Sequence, residues 1–442
     1  MESNRRTFIK KTAYTTTGIG LASIVPSEVW GAKTAPSDKI NVGLIGCRNM
    51  GFGDLQQQLK TAEVNCAALC DVDDTVLNKK AAEIKDKYNQ SPQLYKDFRK
   101  LLEQKDIDAV IIGTPDHWHC LMMVSALESG KDVYVEKPMG NSIEECNIMV
   151  RAAKNHKQIV QVGQQQRSGF IFQKAMELIK TGKIVTLRKV NIWANFEYGV
   201  GPKIVPDGPV PDGVDYDMWL GPAPKRPFNT NRFHGSWRHF WDYGGGLASD
   251  WGVHLVDMGL WAKDITTAPA TIMTYGANTF PEKRARETFD TMTISYPKSD
   301  FVINYDLTAG LQHGPWDMPY GIAFIGDSAT IVTDRIRMTV YPEYDNQAKK
   351  LKTEEYKFTE GKESHDLHAR NFLDCIKSRQ APVCPTDLGR AAALHVHMAN
   401  IAARVGEPVL LWDDTKNRFT NSEAANKLIV PEYRKPWALP KY

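Results

Sequence analysis

Short apolar segments alternate with helical patterns over the first third of the chain. Runs typical of buried strands lie at Ile40–Ile45, Val64–Cys70, Ala109–Gly113, Val133–Val135 and Ile159–Gly163. Helix-like stretches, such as Thr75–Lys87 and Ile143–Asn155, lie between them. Buried strands that alternate with helices are typical of a parallel, doubly wound sheet. The pattern therefore predicts an α/β domain with a Rossmann-type sheet.

A different pattern follows the last of these strands. Residues 198–236 are rich in glycine and proline and indicate a long loop region. Period-two runs then predict consecutive antiparallel strands at Thr271–Tyr275, Thr291–Tyr296, Phe301–Tyr305 and Met338–Tyr341. Helical patterns return at His365–Lys377 and Leu388–Val405. We predict an N-terminal domain over 33–165 and a C-terminal α+β domain over 166–442, with a large, open, mostly antiparallel sheet.

Composition excludes several classes of protein. Of the 442 residues, 42% are hydrophobic and 24% are charged, as in globular proteins rather than disordered or polytopic membrane chains. The 55 basic and 52 acidic residues leave a net charge of only +3, so no nucleic-acid partner is expected. The seven cysteines are odd in number and lack zinc-ligand spacing, so neither a disulfide framework nor a metal site is predicted.

The N-terminus carries the pattern of a twin-arginine export signal. Arg5 and Arg6 are followed by one spacer, two apolar residues and Lys10. The weakly apolar stretch after them, residues 13–29, is too short and too mild for a stable membrane span. We predict a signal peptide over 1–32, a periplasmic location and no stable span in the mature chain. The alternative is a basic, disordered arm.

A glycine-containing turn follows the first predicted strand. A dinucleotide fold has G-x-G-x-x-G at this point, and here Gly46 and Gly51 match while Arg48 replaces the middle glycine. A guanidinium across the phosphates would be a favourable contact. Asp71 ends the next strand-like run, about 20 to 25 residues on, where a carboxylate accepts from the ribose hydroxyls. These residues favour an NAD-binding turn over the alternative, a strand–turn–helix that binds no ligand.

Further motifs resemble one enzyme family. They are Gly113-Thr114-Pro115-Asp116-His117-Trp118-His119, Glu136-Lys137-Pro138, and a triple glycine before Asp250-Trp251-Gly252-Val253-His254. In this order, after the glycine turn, they resemble the Gfo/Idh/MocA oxidoreductases over nearly the whole mature chain. The resemblance implies a Rossmann domain with NAD in the cleft between two domains, and oligomers formed through the C-terminal sheet. The residues expected to contact the cofactor are Gly46, Arg48, Asn49, Met50, Gly51, Asp71, Thr114, Asp116, Trp118, His119, Glu136, Lys137 and Gln165.

Three residues are candidates for catalysis. Lys137 follows a strand, at the sheet edge where open α/β sheets bind ligands. Asp250 and His254 are four residues apart on a helical pattern, so we expect them to share a face. Histidine is a natural acid–base group, and Asp250 could orient it or bind a substrate hydroxyl. The resemblance implies that Lys137, Asp250 and His254 form the catalytic trio.

The expected substrate is a sugar, a glycoside or a polyol. Arg167 matches a family position near the nicotinamide, although a structural ion pair is an equal alternative. Trp241 and Tyr243 belong to an aromatic cluster that could bind a sugar face or belong to the core. The leading function is an NAD-dependent oxidoreductase acting on a secondary hydroxyl, with tightly bound NAD. The alternatives are an NAD-dependent glycoside hydrolase or lyase with a transient keto-sugar, and a non-catalytic sugar-binding protein.

We predict that the protein prefers NAD to NADP. The carboxylate of Asp71 at the ribose edge should repel a 2′-phosphate electrostatically. Titration of nucleotide-free protein with each dinucleotide measures the preference, and NADP binding as tightly as NAD would contradict it.

Overall fold

The computed structural model describes residues 39–182, 186–359 and 364–442. The predicted signal peptide lies outside these ranges. Within them, no helix combines the length and apolar character that a membrane crossing requires.

The N-terminal half contains six strands and five helices. The strands are β1 (Ile40–Ile45), β2 (Val64–Cys70), β3 (Gln93–Tyr95), β4 (Ala109–Ile112), β5 (Asp132–Val135) and β6 (Val160–Val162). The helices are α1 (Asn49–Gln58), α2 (Asp74–Tyr88), α3 (Phe98–Leu102), α4 (His119–Glu128) and α5 (Ile143–Asn155). The strands form one parallel sheet in the order β3-β2-β1-β4-β5-β6, with Ile45 paired to both Cys70 and Ile112. This is the predicted doubly wound Rossmann sheet, and the order reverses direction between β1 and β4.

A second, ten-stranded sheet dominates the C-terminal half. Its strands are β7 (Leu187–Ala194), β8 (Thr271–Ala277), β9 (Thr291–Pro297), β10 (Val302–Thr308), β11 (Tyr320–Gly326), β12 (Ala329–Thr333), β13 (Met338–Pro342), β16 (Tyr356–Phe358), β17 (Val409–Asp413) and β18 (Arg418–Phe419). A separate hairpin pairs β14 (Tyr344–Asp345) with β15 (Lys350–Leu351). The large sheet has the order β16-β13-β12-β11-β7-β10-β9-β8-β17-β18. Only β7 and β10 are parallel neighbours, so the prediction of a mostly antiparallel sheet is confirmed.

Helices cover the inner face of this sheet and return to the Rossmann domain. The helices of this half are α6 (Phe170–Lys180), α7 (Tyr216–Leu220), α8 (Gly246–Asp250), α9 (Gly252–Trp261), α10 (His365–Ser378), α11 (Thr386–Val405) and α12 (Glu423–Asn426). α9 and α11 pack closely on the sheet, because a Cβ on Gly252 would lie within 3 Å of both Tyr305 and Val396. α10 places Phe372 and Leu373 in the core of the N-terminal half. The two halves therefore share buried surface.

Candidate functional site

A deep cleft opens at the carboxyl ends of β2, β1, β4 and β5. It has an empty volume of about 960 Å³. The residues that line it from the Rossmann sheet include Gly46, Arg48, Asn49, Met50, Asp71, Thr114, Asp116, Trp118, Glu136 and Lys137. Those that line it from the other half are Met218, Trp219, His234, Trp237 and Arg238. The carboxyl edge at a reversal of strand order is where α/β sheets bind nucleotides.

Three glycines shape the turn at the floor of this cleft. Gly46 has a positive φ of 89°, and a Cβ on Gly51 would lie 2.4 Å from the carbonyl oxygen of Gly46. Gly113, after β4, packs against Gly51 just as closely. Arg48, which replaces the middle glycine, occupies the N-cap position of α1, where its backbone is extended. It also lines the cleft. The backbone thus approaches the cleft closely at the N-terminus of α1, a geometry that fits a pyrophosphate.

Asp71 lies beside the turn with its carboxylate fixed by two backbone amides. The amide of Cys47 donates to Oδ2 at 2.7 Å, and that of Asp73 donates to Oδ1 at 3.1 Å. Burial raises the pKa of this carboxyl to about 6, although both amides oppose the shift. It is therefore mostly ionised at neutral pH, and its remaining lone pairs can accept from ribose hydroxyls.

Lys137 joins the Rossmann sheet to the C-terminal half. Its Nζ donates to Oδ1 of Asp250 at 2.6 Å and to the Asp250 carbonyl oxygen at 3.0 Å. The two side chains are only 8% and 13% exposed. The structure thus brings together two members of the predicted trio, one from each domain.

The carboxylate of Asp250 accepts from three side chains. Besides Lys137, the hydroxyl of Tyr198 donates to Oδ2 at 2.7 Å, and Nε of Arg238 lies 3.1 Å from Oδ1. Burial alone would raise the pKa of the Asp250 carboxyl, but Arg238 and Lys137 outweigh burial and hold the pKa below its ordinary value. Asp250 therefore stays ionised and orients the cationic and hydroxyl groups around it.

His254 lies in a different helix from Asp250, although their spacing predicts that they share one helical face. The helix is interrupted at Trp251, so Asp250 ends α8 whereas His254 lies in α9. His254 is buried, and among the described residues its Nδ1 has no hydrogen-bond partner. Burial, together with Lys137 and Arg335, lowers the pKa of His254 well below its usual value. Its imidazole is therefore neutral at physiological pH.

Two residues at this site were missed by the sequence analysis. Tyr198 lies in a short 3-10 helix after β7, and the residue is 45% exposed although its hydroxyl contacts Asp250. Arg238 lies between Asp250 and the face of Trp237, 4.2 Å from the ring centroid. Neither belongs to a motif, and only the tertiary fold brings them to Asp250.

The other predicted cofactor residues fall into two groups. Thr114, Asp116, Trp118 and Glu136 line the cleft, as do Asn49 and Met50. His119 and Gln165 do not. The ring of His119 lies 2.7 Å from the carbonyl oxygen of Pro138 and 3.0 Å from that of Thr114. Gln165 contacts His365. His119 therefore supports the loops behind the cleft.

The predicted substrate residues lie away from the cleft. Arg167 forms a buried, bidentate ion pair with Asp257, with N–O distances of 2.8 and 2.7 Å. This is the structural ion pair that the sequence analysis gave as the alternative to substrate contact. Tyr243 is fully buried against Trp219. Trp241 packs on Phe289, with a guanidinium over its ring. These contacts are typical of core residues.

The fold and the cleft are those of a dinucleotide-binding protein. Residues 40–164 match the family model described as "Oxidoreductase family, NAD-binding Rossmann fold". Residues 176–439 match "Oxidoreductase family, C-terminal alpha/beta domain". The chain therefore belongs to the Gfo/Idh/MocA oxidoreductase family, and its cofactor is NAD.

The names of several similar proteins refer to carbohydrates. A glycosyl hydrolase family 109 protein from Shewanella putrefaciens (strain CN-32 / ATCC BAA-453) is 32% identical over 169 residues, which are 34% of this chain and 37% of the relative. The chain thus aligns to little more than a third of that relative's length. The WlbA dehydrogenase from Bordetella pertussis, crystallised with NADH and UDP-GlcNAcA, is 18% identical with a TM-score of 0.62, over 85% of this chain and 99% of that one. The aldose-aldose oxidoreductase from Caulobacter crescentus, complexed with glycerol, is 17% identical with a TM-score of 0.62, over 85% and 100%. At these identities the two structures establish the fold alone.

We predict opposite effects for two neighbouring glycines of α1. Gly51→Ala should lower the free energy of unfolding by about 1–3 kcal/mol, because its Cβ would collide with backbone at Gly46 and Gly113. Gly53→Ala is the matched control, since its Cβ would meet nothing within 4 Å, and it should raise stability by up to about 1 kcal/mol. Denaturant unfolding of the nucleotide-free variants measures both effects. Equal stabilities of the two variants would contradict the close approach.

Proposed function

We propose that the protein oxidises a secondary hydroxyl of a sugar, glycoside or polyol with tightly held NAD. The observation that carries this proposal is the network of Lys137, Asp250, Tyr198 and Arg238 at the inner end of the NAD cleft. A lysine, a phenol and a neutral histidine would together suit the oxidation of a carbinol carbon if the bound NAD placed its hydride-accepting group beside them.

The protein's own groups would bind the hydroxyl and move its proton. Bound NAD supplies the site that accepts or returns a hydride. The ammonium of Lys137 would donate to the substrate oxygen and stabilise its developing negative charge. Asp250 holds Lys137 and Tyr198 in place without gaining a proton, because its pKa is lowered. Neutral His254 would accept the hydroxyl proton.

The carbohydrate class is supported by the names of similar proteins. One is crystallised with a sugar nucleotide and another is an aldose-aldose oxidoreductase. A donor–acceptor reaction, in which a second carbonyl compound reoxidises the bound cofactor, would suit an enzyme that does not exchange NAD at each turnover.

A second candidate is an NAD-dependent glycoside hydrolase or lyase. The similarity to a glycosyl hydrolase family 109 protein favours it specifically. Such an enzyme would oxidise a ring hydroxyl and eliminate the aglycone together with a proton from the carbon next to the new carbonyl. A hydrolase would then add water to the resulting double bond and return the hydride to the carbonyl, so its first step needs the same residues.

We further propose export by the twin-arginine route and assembly through the C-terminal sheet. Arg5, Arg6 and Lys10 support periplasmic export, which cell fractionation would test.

Val409 pairs with Met273 at one end of the sheet, and both side chains are exposed on its outer face beside Tyr275. Such an apolar patch suits a partner copy. A strictly monomeric mass by light scattering would contradict assembly.

Product analysis tests the proposed reaction. The purified protein is incubated with assorted glycosides and a carbonyl acceptor, and the products are identified by mass spectrometry. We expect a keto-sugar together with a reduced acceptor. A cleaved aglycone without net oxidation would favour the hydrolase or lyase, and no product from any carbohydrate would contradict both candidates.

We predict that Lys137→Ala and His254→Ala each lower turnover by about 10² or more, the usual scale for general acid–base groups. His254→Ala should keep its fold and its bound nucleotide. His313→Ala is the matched control, because this side chain is 81% exposed and pairs only locally with Asp317. Steady-state kinetics on the substrate found above measures the effect, and near-normal turnover of His254→Ala would remove that residue from the mechanism.

A further inference from the structure

A long segment of the C-terminal half crosses over the Rossmann sheet. We define residues 201–236 as the strap. Its backbone pairs with the segment after β2 through an antiparallel bridge between Asp73 and Val214. The amide of Asp215 donates to the carbonyl oxygen of Val72 at 2.9 Å, and that of Asp74 donates to Gly213 at 3.1 Å. The strap is thus joined directly to the residues that follow Asp71.

Two side chains close this junction. Nε2 of His234 donates to Oδ2 of Asp73 at 2.6 Å. Nζ of Lys96, after β3, donates to the carbonyl oxygen of Gly213 at 3.0 Å and to the Asp74 carboxylate at 3.1 Å. His234 and Lys96 also line the cleft. Each therefore connects the strap to the wall on which the ribose edge of NAD would lie.

The strap is held again nearer the middle of the cleft. Nε1 of Trp118 donates to the carbonyl oxygen of Trp219 at 3.1 Å. The strap also packs on the Trp118 ring, because a Cβ on Gly221 would lie 2.1 Å from it. From the other side, Arg434 donates to the Asp217 carboxylate at 2.7 Å. The strap is therefore fixed on both sides of the cleft.

We infer that the strap is the second wall of the NAD site, with Met218, Trp219 and His234 covering the adenosine half of the cofactor. NAD then exchanges only when the junction at Asp73 and Gly213 opens. Asp71, which is expected to accept hydrogen bonds from the ribose hydroxyls, lies directly beside this junction. Met218, Trp219 and His234 line the same cleft. This inference rests on NAD being the resident cofactor, as in the proposed function. It assigns the retention of NAD to residues outside the Rossmann domain.

Nucleotide exchange tests this inference independently of any sugar substrate. The purified holoprotein is freed of unbound nucleotide and mixed with excess isotopically labelled NAD, and the bound unlabelled fraction is followed by mass spectrometry. We expect His234→Ala and Lys96→Ala each to speed exchange at least about tenfold, the scale of one lost hydrogen bond to a charged group. Lys100→Ala is the control, since its ammonium contacts the exposed Glu103 and it should exchange like the unsubstituted protein.

A second measurement needs no substitution. Addition of NAD to nucleotide-free protein should slow amide hydrogen exchange in segments 72–76 and 213–217 together. The inference is overturned if the folded double variant His234→Ala/Lys96→Ala exchanges NAD at the unsubstituted rate, or if NAD leaves the exchange of both segments unchanged. In either case sugar oxidation can persist, so a failure of the inference about the strap is distinguishable from a failure of the proposed function.

Discussion

The contact between the ammonium of Lys137 and the carboxylate of Asp250 connects the two halves of the site. The lysine follows a strand of the Rossmann sheet, whereas the aspartate ends a helix of the other half. Both are nearly buried, and Arg238 pairs with the same carboxylate, so removal of Asp250 would leave two cations without their shared partner at a cost of about 3–5 kcal/mol. Tyr198 and Arg238 complete the shell around Asp250. The carboxylate therefore fixes the positions of the groups that the proposed reaction uses.

Much of the fold could be predicted, because buried parallel strands give continuous apolar runs. β1, β2 and α5 have the predicted bounds, and β4 to β6 differ by a residue or so. β7 was missed although it lies in the middle of the large sheet. Its adjacent polar residues Arg188 and Lys189, followed by Asn191, interrupt both the alternating pattern and any continuous apolar run at its start. The motif residues were found, but Tyr198 and Arg238 were not, since each lies in a short 3-10 helix outside any motif and reaches Asp250 only through the tertiary fold.

The site also depends on surfaces that no single domain supplies. The Rossmann sheet provides the glycine turn, Asp71 and Lys137, whereas the C-terminal half provides Asp250, Trp237 and the strap. Both proposed reactions begin with hydride removal from a ring carbon and so need the same residues. What distinguishes them is whether the hydride leaves with an acceptor or returns to the same sugar.

The most direct test of this account is the identity and redox state of the nucleotide that the protein carries. The purified protein is denatured before and after incubation with a candidate sugar, and the released small molecule is identified by mass and absorbance. The account predicts NAD in near-stoichiometric amount before incubation, and NADH after incubation with an oxidisable sugar in the absence of an acceptor. Release of NADP, or of no nucleotide from a folded protein that still oxidises sugars, would contradict it.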